Sequence, residues 1–408
     1  MKKDVTLDVS KEAQASPLSR KSVLDFVQKY TMVLVLVLVA AFFTWQTKGK
    51  ILLPQNINNL FAQNAYVFVL ATGMLLCILT GGNIDLSVGS VVCFVGAIGA
   101  VMMSKGMNMW IAVIAMLAIG LAIGSWQAFW IAYVKVPPFI TTLAGMLVFR
   151  GLSNVVLQGK TLAVKDAAFV RLFGGGADCY VPDIFHGEGI NILCLVVAAV
   201  AAVIFVAVTF ISRANRLKKG YEVASLLSTV IKSVIIVALI AFFSYKLAKH
   251  KGLPTALIWV ALIIAIYSYI TSKTTIGRHF YAVGGNELAT KLSGINTNKI
   301  YFIAYANMGL LAAFAGMLTI ARLTSAQPTY GQNYEMDAIG SCFIGGASAY
   351  GGSGTVAGIC IGAIFLGVIN QGMSIIGLDN NWQYIVKGLV LLVAVIFDVV
   401  SNHKTGKA

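Results

Sequence analysis

Few residues in this chain could do chemistry, and the most suggestive group interrupts an apolar stretch. In GGNIDLSVG at 81–89, Asn83, Asp85 and Ser87 lie among glycines and between two apolar runs. Short polar side chains at a break within a membrane can cap the broken helix ends or line a solute path, because backbone groups there have no water to satisfy them. Both readings of Asp85 stay open at the level of sequence. A second break, GGASAYGGSG at 345–354, follows a segment that begins with Glu335 and Asp337. Capping and orientation are favoured over substrate contact for these two acids. Two Gly-rich breaks in corresponding halves suggest an internal repeat of the kind transporters use.

Other patterns have a plainer explanation than the one they advertise. GSGTVA at 352–357 fits a dinucleotide fingerprint, with Asp379 about where a ribose-binding acid would stand, but an unbroken apolar run lies between them instead of a strand–helix–strand unit. Gly354, Gly358 and Gly362 at four-residue spacing are better read as a helix-packing stripe, and Gly120 and Gly124 repeat the device. His186, His250, His279 and His403 are dispersed, so neither a metal cluster nor a His-based triad is suggested. The six cysteines show no C-x-x-C spacing and read as small packing residues, with no local disulfide partner for Cys179. The chain contains no G-x-x-x-x-G-K-[ST], so a nucleotide that drives it must bind another subunit.

Residues 276–295 form a polar, basic, glycine-punctuated loop between two long apolar runs. From Asn286 to Ile295 it supports a short amphipathic helix. Leu288, Leu292 and Ile295 share one face, and Glu287 and Lys291 are spaced for an i, i+4 ion pair. Gly284 and Gly285 before that helix, and Gly294 near its end, are positioned for sharp turns.

These residues need a membrane to position them. Hydrophobic residues make up 58% of the chain, charged residues only 11%, and mean hydropathy is +0.84, which leaves too little polar surface to cover a soluble domain. Apolar runs between residues 30 and 400 suggest about 10 to 12 crossings, several of them short enough to be tilted, broken or re-entrant. Most of the 30 Lys and Arg, among them Lys135, Arg213, Lys219, Arg278 and Lys299, fall on one side when both termini are placed in the cytoplasm. Lys246, Lys249 and Lys251 oppose that rule, so the run at 233–245 could lie in the interface, although the spanning reading is preferred. The polar lead at 1–29 and the lack of a small-x-small site before Trp45 indicate an uncleaved first span. The basic run at 213–219 lacks alternating aromatics, which argues for an anchor on anionic lipid and against nucleic acid. The expected fold is an all-α polytopic bundle: a cytoplasmic segment 1–29, a transmembrane domain 30–400 and a cytoplasmic tail 401–408.

In the loop, GRHFYAVGGNE-x-A-x-KLSGIN at 277–296 resembles the cytoplasmic coupling loop, here 273–299, of permease subunits of bacterial ABC importers for ribose, galactose and xylose. The break at 81–89, VPPFITTL at 136–143, YEMDAI at 334–339 with IGG at 344–346, and WQYIVKG at 382–388 fit that family in the same order. Residues 212–253 look like an insertion relative to the ribose and galactose permeases, which places the chain nearer the xylose and multiple-sugar branch.

The resemblance implies a subunit without an ATPase site or a bound cofactor, in the cytoplasmic membrane of a bacterium. It further implies a homodimer enclosing the path, a separate ABC ATPase docked through Gly284, Gly285, Asn286, Glu287, Ala289, Lys291 and Gly294, and an extracytoplasmic binding protein that delivers the monosaccharide. Asn83, Asp85, Ser87, Glu335 and Asp337 are the candidates for path or gate. The alternatives are an ABC permease for branched-chain amino acids or nucleosides and an ion-coupled secondary transporter. The latter would need Asp85 or Asp398, or the basic Arg150 and Lys387, as intramembrane ionisable groups.

Overall fold

The computed structural model describes residues 20–175, 179–187, 189–221, 223 and 225–404, so the lead at 1–19 and the tail at 405–408 lie outside the described residues. Helices account for nearly all regular structure. In chain order they are α1 (Arg20–Gln46), α2 (Pro54–Gln63), α3 (Ala65–Leu79), α4 (Val88–Ser104), α5 (Met109–Phe129), α6 (Pro138–Leu157), α7 (Ala167–Leu172) and α8 (Ile192–Lys218). They continue with α9 (Leu226–Ala248), α10 (Thr255–Lys273), α11 (Thr275–Gly285), α12 (Glu287–Leu292), α13 (Thr297–Leu323), α14 (Tyr334–Ile344), α15 (Val356–Ile376) and α16 (Asn380–Lys404). A two-stranded antiparallel ribbon, β1 (Leu162–Ala163) with β2 (Ser325–Ala326), ties the α6–α7 loop to the α13–α14 loop.

Side-chain caps set where many of these helices begin. Asn108, Asp166, Asn191, Ser225, Thr274, Asn286, Asn296 and Thr355 each accept a hydrogen bond from a backbone N–H two or three residues on. Such a bond satisfies one of the first-turn donors that would otherwise be orphaned in or beside lipid. Pro54 and Pro138 stand at the first positions of α2 and α6, where a missing N–H does no harm.

Among the described residues, eight helical stretches are long and apolar enough to cross a membrane, with α2 and α3 counted as one stretch of 26 residues. Apolar helical segments at Met32–Gln46, Val88–Ser104 and Asn381–Ile396 are shorter. Helix α14 has only 11 residues before the second break, so it enters the bundle without crossing. Helix α9 has 23 residues and runs beside the 27-residue α8 as a hairpin, so the stretch containing 233–245 has the length of a full span.

The bundle is layered around α3 and α13. All but one residue of α3 is buried, and α13 is buried along most of its length. Close approach here depends on small residues, since helices in lipid gain association energy from packing and not from escape from water. A Cβ on Gly124 of α5 would stand 2.6 Å from the Tyr305 carbonyl oxygen, 2.8 Å from that of Ala306 and 2.9 Å from the Gly309 Cα of α13. Gly96 of α4 and Gly316 of α13 make a second such crossing. Gly358 and Gly362 of α15 lie against the Gly345 and Ser341 backbone, but Gly354 (φ +149°) precedes α15 and packs on Leu75 and Ala347. The expected three-glycine helix stripe is therefore two residues long, and its third member belongs to the break.

These packing distances set a test. Gly124→Val is expected to destabilise the detergent-purified protein by about 1–3 kcal/mol or more through overpacking. Gly151→Ala on α6, where nothing lies within 4 Å, should be neutral or mildly stabilising. Thermal midpoints of the two variants provide the comparison.

Candidate functional site

The two Gly-rich breaks, far apart in sequence, are in direct contact. A Cβ on Gly82 would overlap the Ala349 carbonyl oxygen, and one on Gly351 would stand 2.5 Å from Gly81 Cα. Gly82 (φ +74°) and Gly351 (φ +85°) also occupy backbone conformations that favour glycine. The contact is hydrogen-bonded: Gly352 N donates to the Leu79 carbonyl at the end of α3, 3.1 Å. In the middle of the second break, Ala349 N donates to Asp398 Oδ2 of α16, 3.0 Å.

Helix α11 sits on this junction. Gly284, which the sequence placed at a turn, lies instead within the last turn of α11, where an added methyl would overlap both the Leu79 carbonyl oxygen and the Gly352 amide. Tyr281, one turn earlier, donates its hydroxyl to the Gly354 carbonyl, 2.9 Å. Burial pushes its phenol above the usual range, so it stays protonated and remains a donor at physiological pH. Gly285 ends the helix with open space around it. Asn286 caps α12 by accepting from Ala289 N at 2.8 Å, and Thr290 Oγ1 ties α12 back to the Ala282 carbonyl at 2.8 Å.

The Glu287–Lys291 ion pair is not formed. The Glu287 carboxylate accepts instead from the Tyr301 hydroxyl of α13, 3.0 Å away, while Lys291 is exposed. An aromatic hydroxyl on a packed helix is a better-fixed partner than a mobile lysine in water, where such pairs gain only tenths of a kcal/mol. Gly294 (φ +84°) closes α12: its N–H donates to the Lys291 carbonyl and Ile295 N to that of Thr290, a Schellman arrangement. Leu288 and Leu292 are 69% and 80% exposed, so α12 presents its apolar stripe outward while α11 is held to the bundle.

Within the first break, Asp85 and Ser87 are fully buried. Asp85 Oδ1 accepts from Ser87 N at 2.8 Å and from Ser87 Oγ at 2.6 Å, and Ser87 Oγ meets the Gln127 amide of α5, 2.9 Å to Nε2. Asp85 thus holds the entry to α4, and no solvent reaches it in this conformation. Asn83 is half-buried and donates to the Thr80 carbonyl at 3.1 Å. Gln127, unremarked in the sequence, could have been noticed as a lone amide in an apolar run.

Asp337 neither caps nor stands free. It forms an ion pair with Lys387 of α16 at 2.9 Å and accepts from the Tyr66 hydroxyl of α3 at 2.7 Å. Tyr66 in turn stacks on Tyr334, with centroids 3.6 Å apart. Glu335 is buried in the first turn of α14, with its carboxylate against Gly89 of α4. Arg150 donates to the Pro328 and Tyr330 carbonyls. In front of the Tyr66–Asp337–Lys387 cluster lies a cavity of about 360 Å³ whose lining includes Arg322, Thr319, Asn370, Ser374 and Gln383. No local pattern marks this cavity, because its walls come from α2, α3, α10, α13, α14, α15, α16 and the Phe173–Gly174 turn after α7, although Asn370 and Arg322 stand out as polar residues in apolar runs.

The site is thus a short helix seated on two glycine-rich breaks of a mostly apolar helical bundle, with a partly polar cavity between the helices. Residues 56–211 and 184–395 match the family described as branched-chain amino acid transport system / permease component. The chain belongs to this permease family. It is 37% identical over 378 residues to the xylose transport system permease protein XylH of Haemophilus influenzae, covering 92% of this chain and 97% of that permease. It is 34% identical over 379 residues to XylH of Escherichia coli K12, covering 93% of each chain. With the ribose import permease protein RbsC of the same strain, identity is 34% over 344 residues, 84% of this permease and 85% of the relative. No solved structure matches.

Two tests follow from the geometry. Gly284→Ala is expected to force α11 off the breaks and reduce solute uptake at least tenfold at normal membrane yield, a loss of about 1.4 kcal/mol or more and within the range for overpacked contacts. Gly285→Ala should stay within about twofold, since its methyl meets nothing, and uptake by cells producing each variant makes the comparison. Lys387→Met alone should destabilise by about 3–5 kcal/mol, because it strands a buried carboxylate. Adding Asp337→Asn should recover most of that loss in thermal unfolding.

Proposed function

We propose that this chain is the membrane subunit of an ATP-driven importer of monosaccharides of the xylose and ribose type. It acts as a homodimer in the cytoplasmic membrane of a bacterium. An ABC ATPase docks on the exposed Leu288–Leu292 stripe of α12, and an extracytoplasmic sugar-binding protein delivers cargo to the outer loops. The subunit performs no covalent chemistry and binds no cofactor; ATP acts at the ATPase. Residues 212–253, which hold most of the α8–α9 hairpin, are an insertion facing lipid.

The observation that carries this reading is the attachment of α11 and α12 to both breaks. A push on the Leu288–Leu292 stripe passes through the Thr290–Ala282 bond to α11, whose Gly284 meets Leu79 and Gly352, and through the Glu287–Tyr301 bond to α13. Both breaks then move together, and closure of the ATPases biases the bundle between inward-open and outward-open states. The sugar follows from the relatives, whose names specify xylose and ribose. The family description names branched-chain amino acids, so leucine is the control solute.

Reconstitution tests the whole assignment. The chain alone in liposomes should neither hydrolyse ATP nor accumulate solute, and adding the ATPase should give hydrolysis with little accumulation. Adding the binding protein should give concentrative pentose uptake that persists with a proton uncoupler present at constant ATP. Leucine uptake without pentose uptake, or collapse with the uncoupler, would overturn the reading.

A further inference from the structure

The cavity beside Tyr66 and Tyr334 has chemistry that selects among possible occupants. Its volume of about 360 Å³ lies at the small end of the range for small-molecule sites and suits one cyclic sugar with some water. Most of its lining side chains are polar or charged. Asn370 lines the cavity, and its Oδ1 is buried with no hydrogen-bond partner, a penalty that a turn of the side chain toward a polar occupant would relieve. Arg322, half-buried on the wall, has no hydrogen bond or ion pair among the described residues. Ser374 and Gln63 stand exposed at the rim.

Charge separates the possible occupants. An amino acid brings an ammonium group that needs a carboxylate. Among the described residues the lining supplies none, and the nearby Asp337 is already held by Lys387 and Tyr66. A neutral polyol needs only donors and acceptors, which Arg322, Thr319, Asn370 and Gln383 provide, and an aromatic surface, which Tyr66 and Tyr334 provide.

We propose that this cavity is a way-station that binds one monosaccharide during transit, so that the membrane path itself selects neutral cyclic polyols over amino acids. Resting on the importer reading above, it moves part of the selectivity from the delivering protein into the permease. Asn370 and Arg322 hydrogen-bond the sugar hydroxyls, and the Tyr66–Asp337–Lys387 cluster backs the cavity on its inner side.

The test uses the full-length chain in nanodiscs, with a reporter cysteine at the rim. Ser374→Cys is modified by a small charged methanethiosulfonate reagent, and the modified peptide is followed by mass spectrometry apart from the six native cysteines. If Ser374→Cys does not insert, Gln63→Cys at the same rim takes its place. Modification should slow at least threefold in 100 mM D-xylose or D-ribose, and not in equimolar L-leucine, on the order of what partial occupancy of a weak site gives. Asn370→Leu should abolish that protection while leaving the unprotected rate unchanged. Equal protection by leucine, no protection by either sugar, or protection that survives Asn370→Leu would each overturn the proposal. Uptake by the complete assembly separates the two levels. Pentose accumulation without protection removes the way-station and leaves the importer standing, whereas leucine accumulation in place of pentose removes the importer reading itself.

Discussion

Backbone polar groups where a helix is interrupted need partners, and the two interrupted segments of this chain pack directly on each other, joined by one such hydrogen bond. The bond from Gly352 N to the Leu79 carbonyl, and the contacts of Gly81 with Gly351 and of Gly82 with Ala349, turn two potentially costly breaks into one interface. Only glycine allows that approach, because a side chain at any of several positions would occupy its partner's backbone. The rest of the architecture is arranged around this point. Helix α3 leads into it from the buried centre, α14 ends and α15 begins beside it, and α11 rests on it through Gly284.

The buried polar residues fall into two sets with different physics. Asp85, Ser87 and Gln127 are bound to one another with short hydrogen bonds, which fixes the start of α4. Asp337 and Lys387 are charged and paired across α14 and α16. Such a pair adds little net stability compared with apolar side chains, but it strongly penalises any conformation that separates it. A transporter needs segments of both kinds: some that stay in place, and some whose rearrangement proceeds between a few discrete states.

Much of the fold was legible because membranes impose simple rules. Composition points to the class, the caps at Asn108, Asn191 and Asn296 are visible as polar residues ahead of apolar runs, and against the 10 to 12 crossings expected the described residues hold eight stretches long enough to span and three shorter apolar segments. What was not legible depends on contacts between distant residues. Nothing local distinguishes Gly284, wedged against Leu79 and Gly352, from Gly285, which touches nothing. The i, i+4 spacing of Glu287 and Lys291 was real, yet Tyr301, 14 residues from Glu287, took the carboxylate. The cavity could not be foreseen at all, since seven helices contribute to it and none offers more than four residues.

The α8–α9 hairpin shows the opposite extreme from α3. In their most apolar windows only 6% of α8 and 6% of α9 is buried, and the hairpin leans on the remainder mainly through α2, where Phe243 meets Phe61 edge to face. Its Val, Ile, Leu and Phe side chains are dissolved in acyl chains, a liquid that adapts to their shape. Those of α3 are set in a close-packed solid that does not. Equal hydrophobicity therefore carries unequal information in the two places. Along the hairpin one aliphatic side chain can replace another almost freely over evolutionary time, whereas along α3 the volume at each position is specified by its neighbours.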